Sequence, residues 1–472
     1  MDAHPEASRS DIVDGVEGKS RRWPRLFFAA LVVGTAVRLA SLTLPGTADM
    51  GVWKLWTYGG AVEAPTRLYG IGGTPTEWRV VQWERAAGTV VYPPLALYEL
   101  AGVGRIYRSL NNGTFPNTVA LTAAIKLLIV AMEFGLLWLI FEAVRRTAGI
   151  DAARWAAAAY WLNPSMILAG SMLGYLDPLY MLPAAGAIIA AGVGWPFTSG
   201  ALVAAATLTK PQGVVLIPAA MLALLAAGGL RAVVRECLWF ASGGILVTAA
   251  IVGPIAAVGG LPNLVLAMSR LAQHDMLSGN ATNLWWIIGY ILRVIYAVGD
   301  MGTWGAITMR TRILAISRVL ELGYPNPRVI GTALTIAAAT WALWTARRVR
   351  GWVLLSAVGA FLMHAYATLA SQVHENHLYA AVPLLVLVSA QKPRYRPILW
   401  AVSAIFFLNL NLFYGISEYA YRGQYVIPRN ITVIDLSVLV SVANCAVLAW
   451  HAVVLRRECV EATEVHRSTV AA

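Results

Sequence analysis

Long apolar segments recur along the chain, separated by shorter polar stretches. A helix that crosses a bilayer needs about 20 mostly apolar residues, and by this measure the pattern predicts about 12 transmembrane helices. They are 26–44, 119–142, 155–171, 178–194, 196–209, 213–228, 238–258, 329–346, 352–370, 377–391, 397–415 and 431–455. The segments 196–209 and 213–228 are short and meet at Lys210-Pro211-Gln212. A kinked or half-height hairpin fits these two better than two full spans.

Basic residues beside the apolar segments predict the orientation of the chain. With about 12 spans, every basic cluster falls on one side, and such clusters mark the cytoplasmic side. The clusters are Arg21/Arg22/Arg25, Arg145/Arg146/Arg154, Arg231/Arg235, Arg347/Arg348/Arg350, Lys392/Arg394/Arg396 and Arg456/Arg457. The conspicuous polar motifs then all lie on the opposite, outer side.

The topology divides the chain into three regions. Residues 1–25 are predicted to form a disordered cytoplasmic N-terminus, 26–455 a single membrane domain, and 456–472 a cytoplasmic tail. The large outer loops are 45–118 and 259–328, and Leu95–Leu110 has the apolar spacing of an amphipathic surface helix. Segment 284–299 is apolar, but one more span here would put the later basic clusters on the opposite side of the membrane from the earlier ones. We therefore expect an interfacial or re-entrant helix there.

Composition agrees with an integral membrane protein and excludes other classes. Charged residues make up 13% of the chain and hydrophobic residues 58%, whereas soluble domains average about 25% charged residues. The net charge of +12 arises from the clusters beside apolar runs, so it indicates membrane topology and no nucleic-acid partner. The 3 cysteines have no disulfide or metal-ligand spacing. No cofactor is predicted, although the sequence leaves a divalent metal open.

The main candidate site is His374-Glu375-Asn376-His377, which lies between two apolar runs. Ionisable residues at a membrane boundary favour a polar cavity over a lipid-facing surface. His374 and His377 are three positions apart and would share one helical face. Three interpretations remain: a metal site without a nearby third ligand, a proton relay as in transporters, and anion recognition with Glu375 charging a histidine. We favour anion recognition.

Three further charged residues lie at the predicted outer ends of helices. Asp49 follows the first span and suits either a general base or a helix cap. Asp177, at the start of a helix, is explained by capping alone. Lys210 lies between two short apolar segments, where it needs an anionic partner such as phosphate, or else reaches the interface.

The second outer loop contains Ser278-Gly279-Asn280-Ala281-Thr282-Asn283-Leu284-Trp285-Trp286. Asparagine and tryptophan together suit carbohydrate, through hydrogen bonds to hydroxyl groups and contact with a flat ring. An interfacial tryptophan belt explains the same residues. Asn283 is therefore a candidate substrate residue with a structural alternative.

In this order the motifs resemble the GT-C superfamily of polytopic glycosyltransferases that use polyprenyl- or dolichyl-phosphate-linked sugars. The resemblance extends over residues 26 to about 415. Its marks are Asp49 after the first helix, Tyr92-Pro93-Pro94-Leu95, Lys210-Pro211-Gln212 and Gln372-Val373-His374-Glu375-Asn376-His377. The last is close to the Gln-Val-His-Glu-Lys-His pattern of dolichyl-phosphate-glucose glucosyltransferases, and bacterial polyprenyl-phosphate-mannose mannosyltransferases have a similar motif. Asn376 stands where that pattern has Lys, and Val91 where the relatives place Asp.

The resemblance implies a GT-C-like all-α helical bundle and an inverting sugar transfer on the extracytoplasmic face of a membrane, with a bacterial plasma membrane as the expected location. Asp49 would be the catalytic base, and His374, His377 and Lys210 would bind the donor phosphate. Supporting residues would be Glu375, Asp177, Tyr92, Trp53, Asn283 and Arg422; no residue is assigned to a metal. The implied partners are a polyprenyl-phosphate-linked hexose or pentose, a glycan or glycolipid acceptor, and the lipid bilayer.

Two other functions remain open. A secondary transporter would place its ion-coupling site at the histidines, but it predicts inverted repeats and charges near the midplane. A membrane polysaccharide polymerase or ligase shares the lipid-linked donor and the large outer loop. Such an enzyme typically relies on arginine and histidine for catalysis, and not on a base after the first helix. The effect of Asp49→Asn on activity therefore separates it from the glycosyltransferase interpretation.

Overall fold

The computed structural model describes residues 9–70, 79–225, 229–271, 273–297, 314–348, 351–416, 430–431 and 434–471. These residues are mostly helical. The helices are α1 Arg9–Ala40, α2 Asp49–Val62, α3 Pro94–Leu110, α4 Val119–Trp161, α5 Pro164–Ile167, α6 Asp177–Gly192, α7 Pro196–Thr209, α8 Ile217–Leu225, α9 Leu230–Ala257, α10 Leu261–Leu271, α11 Leu284–Ala297, α12 Ile316–Glu321, α13 Pro327–Ala346, α14 Trp352–Leu369, α15 Ala381–Ser389, α16 Arg396–Tyr414 and α17 Leu436–Ala471.

Short elements connect the helices. A π-helical turn occupies Leu168–Met172, and 3₁₀ turns occupy Pro65–Arg67, Pro211–Leu216, Glu375–Leu378 and Pro393–Tyr395. Two antiparallel hairpins pair β1 Val81–Trp83 with β2 Ala86–Gly88, and β3 Asn430–Ile431 with β4 Ile434–Asp435.

Several helices have the length and composition of membrane spans. In the described part of the chain 6 helices qualify: Val119–Trp161, Leu230–Ala257, Pro327–Ala346, Trp352–Leu369, Pro393–Tyr414 and Leu436–Glu464. Pro196–Thr209 and Pro211–Leu225 are apolar but shorter. The all-α, polytopic membrane class is confirmed, whereas the number of spans and their orientation stay predictions. The short pair supports the predicted hairpin at Lys210.

Some predicted boundaries differ from the observed ones. Helix α1 already begins at Arg9, ahead of the predicted start at 26. The predicted spans 119–142 and 155–171 are two separate helices within the continuous range α4 Val119–Trp161: they meet at Gly149, whose φ of 83° and ψ of 177° are not helical. The polar stretch between the two apolar runs is helical and carries intrahelical ion pairs from Arg145 and Arg146 to Glu142. The first helix therefore continues through the charged stretch, and the break between the two spans lies at Gly149.

Helix α14 lies at the centre of the bundle. In its most apolar window 83% of the residues are buried, against 11% for α9, so α9 belongs to the periphery. Helices α7 and α9 approach closely because glycines lie at their contact. A Cβ atom on Gly200 would lie 1.9 Å from the carbonyl oxygen of Phe240. Small residues of this kind allow close helix packing in membranes.

A second, smaller core joins the first outer loop to the bundle. Helices α2 and α3 pack on each other, with Gly60 and Gly104 at their contact. Buried aromatic residues fill the space beside α2, and Trp53 and Tyr92 have ring centroids 5.3 Å apart. The predicted helix is present as α3, but its buried face differs from the predicted apolar stripe. Leu97, Leu100 and Gly104 are buried, whereas Ile106 and Leu110 of the predicted stripe are 65% and 78% exposed.

Lys126 connects the segments ahead of Asp49 and Asp177. It is fully buried in α4, and its Nζ donates to the carbonyl oxygens of Leu44 and Met172, each at 2.6 Å. The amide of Thr47 also donates to the carbonyl of Leu173 at 3.1 Å. These bonds hold the start of α2 beside the start of α6.

Candidate active site

A buried ion pair joins the start of α6 to the end of α7. The Nζ of Lys210 lies 2.7 Å from Oδ1 of Asp177, with 6% and 0% of the two side chains exposed. The other carboxylate oxygen, Oδ2, accepts a hydrogen bond from Asn376 Nδ2 at 2.8 Å. Lys210 therefore has the anionic partner that its position required, and this partner is a residue of the chain. Asp177 does more than begin a helix.

The histidine motif forms a tight turn. His374 is extended, and Glu375–Leu378 is a single 3₁₀ turn. The segment 373–375 pairs with Gly279, whose amide donates to the Val373 carbonyl at 2.8 Å and whose carbonyl accepts from the Glu375 amide at 3.0 Å. The rings of His374 and His377 lie 5.6 Å apart, so the two histidines belong to one site, as predicted, without a regular helix.

His377 is a buried, neutral imidazole. The Gln212 amide nitrogen lies 2.8 Å from its Nε2, and the Tyr366 hydroxyl lies 3.2 Å from its Nδ1. With the amide as donor, Nε2 accepts, so the proton is on Nδ1 and is directed at Tyr366. His377 therefore contributes hydrogen bonds without charge.

His374 carries the positive charge of this turn. Its Nδ1 lies 3.8 Å from Oε2 of Glu375, and 39% of its side chain is exposed. Burial lowers the pKa of His374, but the nearby Glu375 carboxylate, together with the charge of Asp49, outweighs burial, so the pKa is raised. Its Nε2 lies 3.3 Å from Nδ1 of His274, a histidine whose pKa is lowered by burial and by His374. A protonated His374 can donate to a neutral His274.

Glu375 is a buried carboxylate held in its ionised form. Its Oε1 accepts a hydrogen bond from the Tyr175 hydroxyl at 2.5 Å. Burial raises the pKa of Glu375, but His374 and the Tyr175 hydroxyl lower it by more, so the net pKa is below the usual value. The backbone carbonyl of Glu375 accepts from Asn409 Nδ2 at 3.3 Å. The site therefore contains two fixed carboxylates, Asp177 and Glu375.

Asp49 faces the same region. It is half-buried and is the first residue of α2, for which Ala48 is the N-cap residue. Burial is the main cause of the raised pKa of Tyr92 and of Tyr175, and the Asp49 charge raises both further. The same charge raises the pKa of His374. Asp49 is thus electrostatically coupled to residues of two other segments of the site.

The remaining predicted residues occupy different surroundings. Tyr92 and Trp53 are buried in the aromatic cluster beside α2, and Asp177 and Asp49 both act electrostatically on Tyr92. Asn283 is fully buried and caps α11: its Oδ1 accepts from the Trp286 amide at 3.0 Å, and its Nδ2 donates to the Ala367 carbonyl at 3.4 Å. These bonds are structural. Arg422 lies outside the described residues.

Several residues of the site were not among the candidates. Gln212 stands in a motif that the analysis quoted, so its neighbour Lys210 was a signal for it. The other residues of the site had no comparable signal. The fold brings Tyr175 to Glu375, Tyr366 to His377 and His274 to His374. Within the described ranges, no group of three His, Cys, Asp or Glu side chains is arranged to hold a metal ion.

Comparison with known proteins finds similarity to solved structures. No protein-family model matches the chain, and no curated protein matches it at a significant level. Among solved structures, the chain is similar to the crystal structure of ArnT from Cupriavidus metallidurans bound to undecaprenyl phosphate. The identity is 14% and the TM-score 0.41, over 93% of this chain and 77% of that one. We therefore argue function from the residues themselves.

Proposed function

We propose that this protein is a membrane glycosyltransferase that moves a hexose or pentose from a polyprenyl-phosphate donor to a glycan or glycolipid acceptor on the extracytoplasmic face. The observation that carries the proposal is the convergence of Asp177, Lys210 and the 374–377 turn, with Asp49 electrostatically coupled to His374. These residues come from segments far apart in sequence. Apart from Asp177, they are also among the residues by which the chain resembles the GT-C superfamily.

Asp49 is proposed as the general base. In an inverting transfer it accepts the proton of the acceptor hydroxyl, while the hydroxyl oxygen bonds to the anomeric carbon of the donor sugar. The bond from that carbon to the phosphate oxygen breaks on the opposite face, and polyprenyl phosphate leaves with the electron pair. A phosphate is a good leaving group without a proton from the protein, so the site has to stabilise developing negative charge instead.

His374 is the cation proposed to meet the donor phosphate. Its side chain is partly exposed, and its pKa is raised. Lys210 is buried and its charge is matched by Asp177, so we assign it a supporting role that positions Asn376 and the turn. His377, which is neutral and hydrogen-bonded on both ring nitrogens, holds Gln212 and Tyr366 in place. We thus propose a different role for each of the three residues to which the resemblance assigns phosphate binding.

Sugar transfer in membranes tests the proposal. Radiolabelled polyprenyl-phosphate-mannose, -glucose and -arabinose are offered separately, each with an extract of endogenous glycolipids, to membranes containing wild type or Asp49→Asn. We expect label to move from one donor to a glycan or glycolipid in wild type only. The matched control is Asp151→Asn, because Asp151 is 72% exposed at the side chain and pairs only with Arg154.

The outcomes separate the candidate functions. Transfer from no donor by folded wild type would contradict the proposal and favour a transporter. Transfer that persists in Asp49→Asn would support the lipid-linked donor but contradict the assignment of Asp49 as the base, as expected for a polymerase or ligase. Loss of transfer in Asp151→Asn as well would show that the effect is not specific to Asp49.

A further inference from the structure

A cavity of about 440 Å³ lies against the first turn of α2. Its lining includes Gly51 and Lys54 of α2, the hairpin tip Trp83-Glu84-Arg85, and Asn117 ahead of α4. Small-molecule sites usually measure about 300–1,000 Å³, so its size suits a small sugar unit. The cavity also reaches Pro45 and Met50, which lie on either side of Asp49 in the sequence.

The polar groups of the cavity wall form a connected chain. Lys54 Nζ donates to Oδ1 of Asn117 at 3.3 Å, and Nδ2 of Asn117 donates to Oε2 of Glu84 at 3.1 Å. The wall therefore presents an ammonium donor, an amide and a carboxylate acceptor side by side. A ligand rich in hydroxyl groups, each both donor and acceptor, matches such a row.

The aromatic part of the wall is held rigid. The Trp83 ring stacks on Tyr58, with centroids 5.3 Å apart and an interplanar angle of 14°, and meets Phe115 edge-on at 5.6 Å. Trp83 is 8% exposed, and the part of it that lines the cavity offers an apolar contact for the C–H groups of a sugar. Because the ring is already ordered, binding costs little side-chain entropy.

The hairpin tip is strained at the residue that supplies the carboxylate. Glu84 has φ of 52°, in the left-handed region where glycine or asparagine is ordinary. Such a conformation costs about 1–3 kcal/mol and persists where the surroundings hold it. Asn117 holds Glu84 through its side chain. A glutamate kept at a position suited to glycine points to a function for its carboxylate.

From these observations we propose that the cavity is the subsite that binds the acceptor saccharide, with Trp83 under a sugar ring and Lys54, Asn117 and Glu84 bonded to its hydroxyl groups. The identification of the ligand as the acceptor rests on the proposed function. The presence of a saccharide site rests on the cavity alone.

Two substitutions test the subsite without changing a residue of the 374–377 turn. Gly51 is exposed and lines the cavity, and a Cβ placed on it meets nothing within 4 Å, so Gly51→Trp begins a large side chain in open space at the cavity wall. Glu84→Gly removes the carboxylate and relieves the strained φ. The matched control is Gly102→Trp, because Gly102 is also an exposed helical glycine with nothing within 4 Å of its Cβ position, and it does not line the cavity.

The first readout is kinetic. With the donor that wild type uses, Gly51→Trp and Glu84→Gly should raise the KM for the acceptor at least about tenfold, which corresponds to about 1.4 kcal/mol. The KM for the donor and the thermal midpoint should stay near wild type, and Gly102→Trp should change neither KM. An unchanged acceptor KM in both cavity variants would overturn the proposal.

The second readout is binding without turnover. Saturation-transfer NMR on the full chain in nanodiscs would use mannotriose, maltotriose and cellotriose as probes. We expect at least one probe to bind wild type and Gly102→Trp, and to lose at least about tenfold in affinity with Gly51→Trp. If the probes bind with this pattern but the protein transfers sugar from no donor, the saccharide site is supported and the proposed function is contradicted. Binding of no probe, or equal binding to Gly51→Trp, would overturn the subsite.

Discussion

Removal of the Lys210 charge should destabilise the protein strongly. Lys210→Met keeps much of the apolar stem but leaves the Asp177 carboxylate buried, with Asn376 as its remaining side-chain partner. Breaking a buried pair by removing one partner costs about 3–5 kcal/mol, because an uncompensated charge stays in the interior. With 6% and 0% of the two side chains exposed, solvent screening does not reduce this cost.

The double variant Lys210→Met/Asp177→Asn separates charge from packing. It removes both charges and keeps an amide that can still bond to Asn376, so much of the lost stability should return, as found when whole buried pairs are replaced by neutral groups. Activity should not return, because the turn at 374–377 loses the ionic anchor below it. We expect a non-additive cycle, as is usual for residues in contact.

The assay is unfolding by sodium dodecyl sulfate in mixed micelles, followed by the fluorescence of the 18 tryptophans. Arg154→Met serves as the control, since its partner Asp151 is largely exposed and such surface pairs contribute about 0–1 kcal/mol. A Lys210→Met protein whose unfolding free energy lies within about 1 kcal/mol of wild type, like this control, would refute the buried-pair reasoning.

Three further predictions concern other parts of the site and fold. The raised pKa of His374 means that the imidazolium charge is present at low pH and is lost as the pH rises through a value above 6.5. In a donor-binding titration, the affinity of wild type for the donor should therefore fall over that pH range, whereas His374→Gln should bind the donor weakly at every pH. Tyr175→Phe should cost about 1–3 kcal/mol in the same unfolding assay, because buried Glu375 loses a hydrogen bond; no loss would contradict the assigned contact. Gly200→Ala should lower the thermal midpoint, since its Cβ would lie 1.9 Å from the Phe240 carbonyl oxygen; an unchanged midpoint would show that α7 and α9 separate freely.

Much of the fold was predictable because apolar runs in a membrane protein are nearly equivalent to helices. Helix α7 has the predicted bounds 196–209, and α14 ends one residue short of the prediction. The spans 119–142 and 155–171 are separated at Gly149, as their apolar patterns predict. The first helix extends further than predicted, because the Arg145 and Arg146 pairs with Glu142 stabilise its charged end.

The candidate site was predictable in part. Ionisable residues in apolar surroundings drew attention to Asp177, Lys210 and the 374–377 turn, and the fold brings them into contact. Their individual roles were not readable, because a pairing such as Lys210 with Asp177 depends on how helices pack. His274 contacts His374 across 100 positions of sequence without any motif. Asn283 shows the opposite case, in which a plausible sugar ligand is a buried helix cap.

The most direct test of the central claim uses the purified protein in liposomes with the donor selected by the membrane assay. Polyprenyl phosphate released and sugar transferred are measured in the same reaction, for wild type and Asp49→Asn. The account predicts one polyprenyl phosphate per sugar in wild type, and a rate at least about 100-fold lower in Asp49→Asn, the lower end of the usual range for a general base. Asp49→Asn turning over at the wild-type rate, or sugar transferred without release of the lipid phosphate, would contradict it.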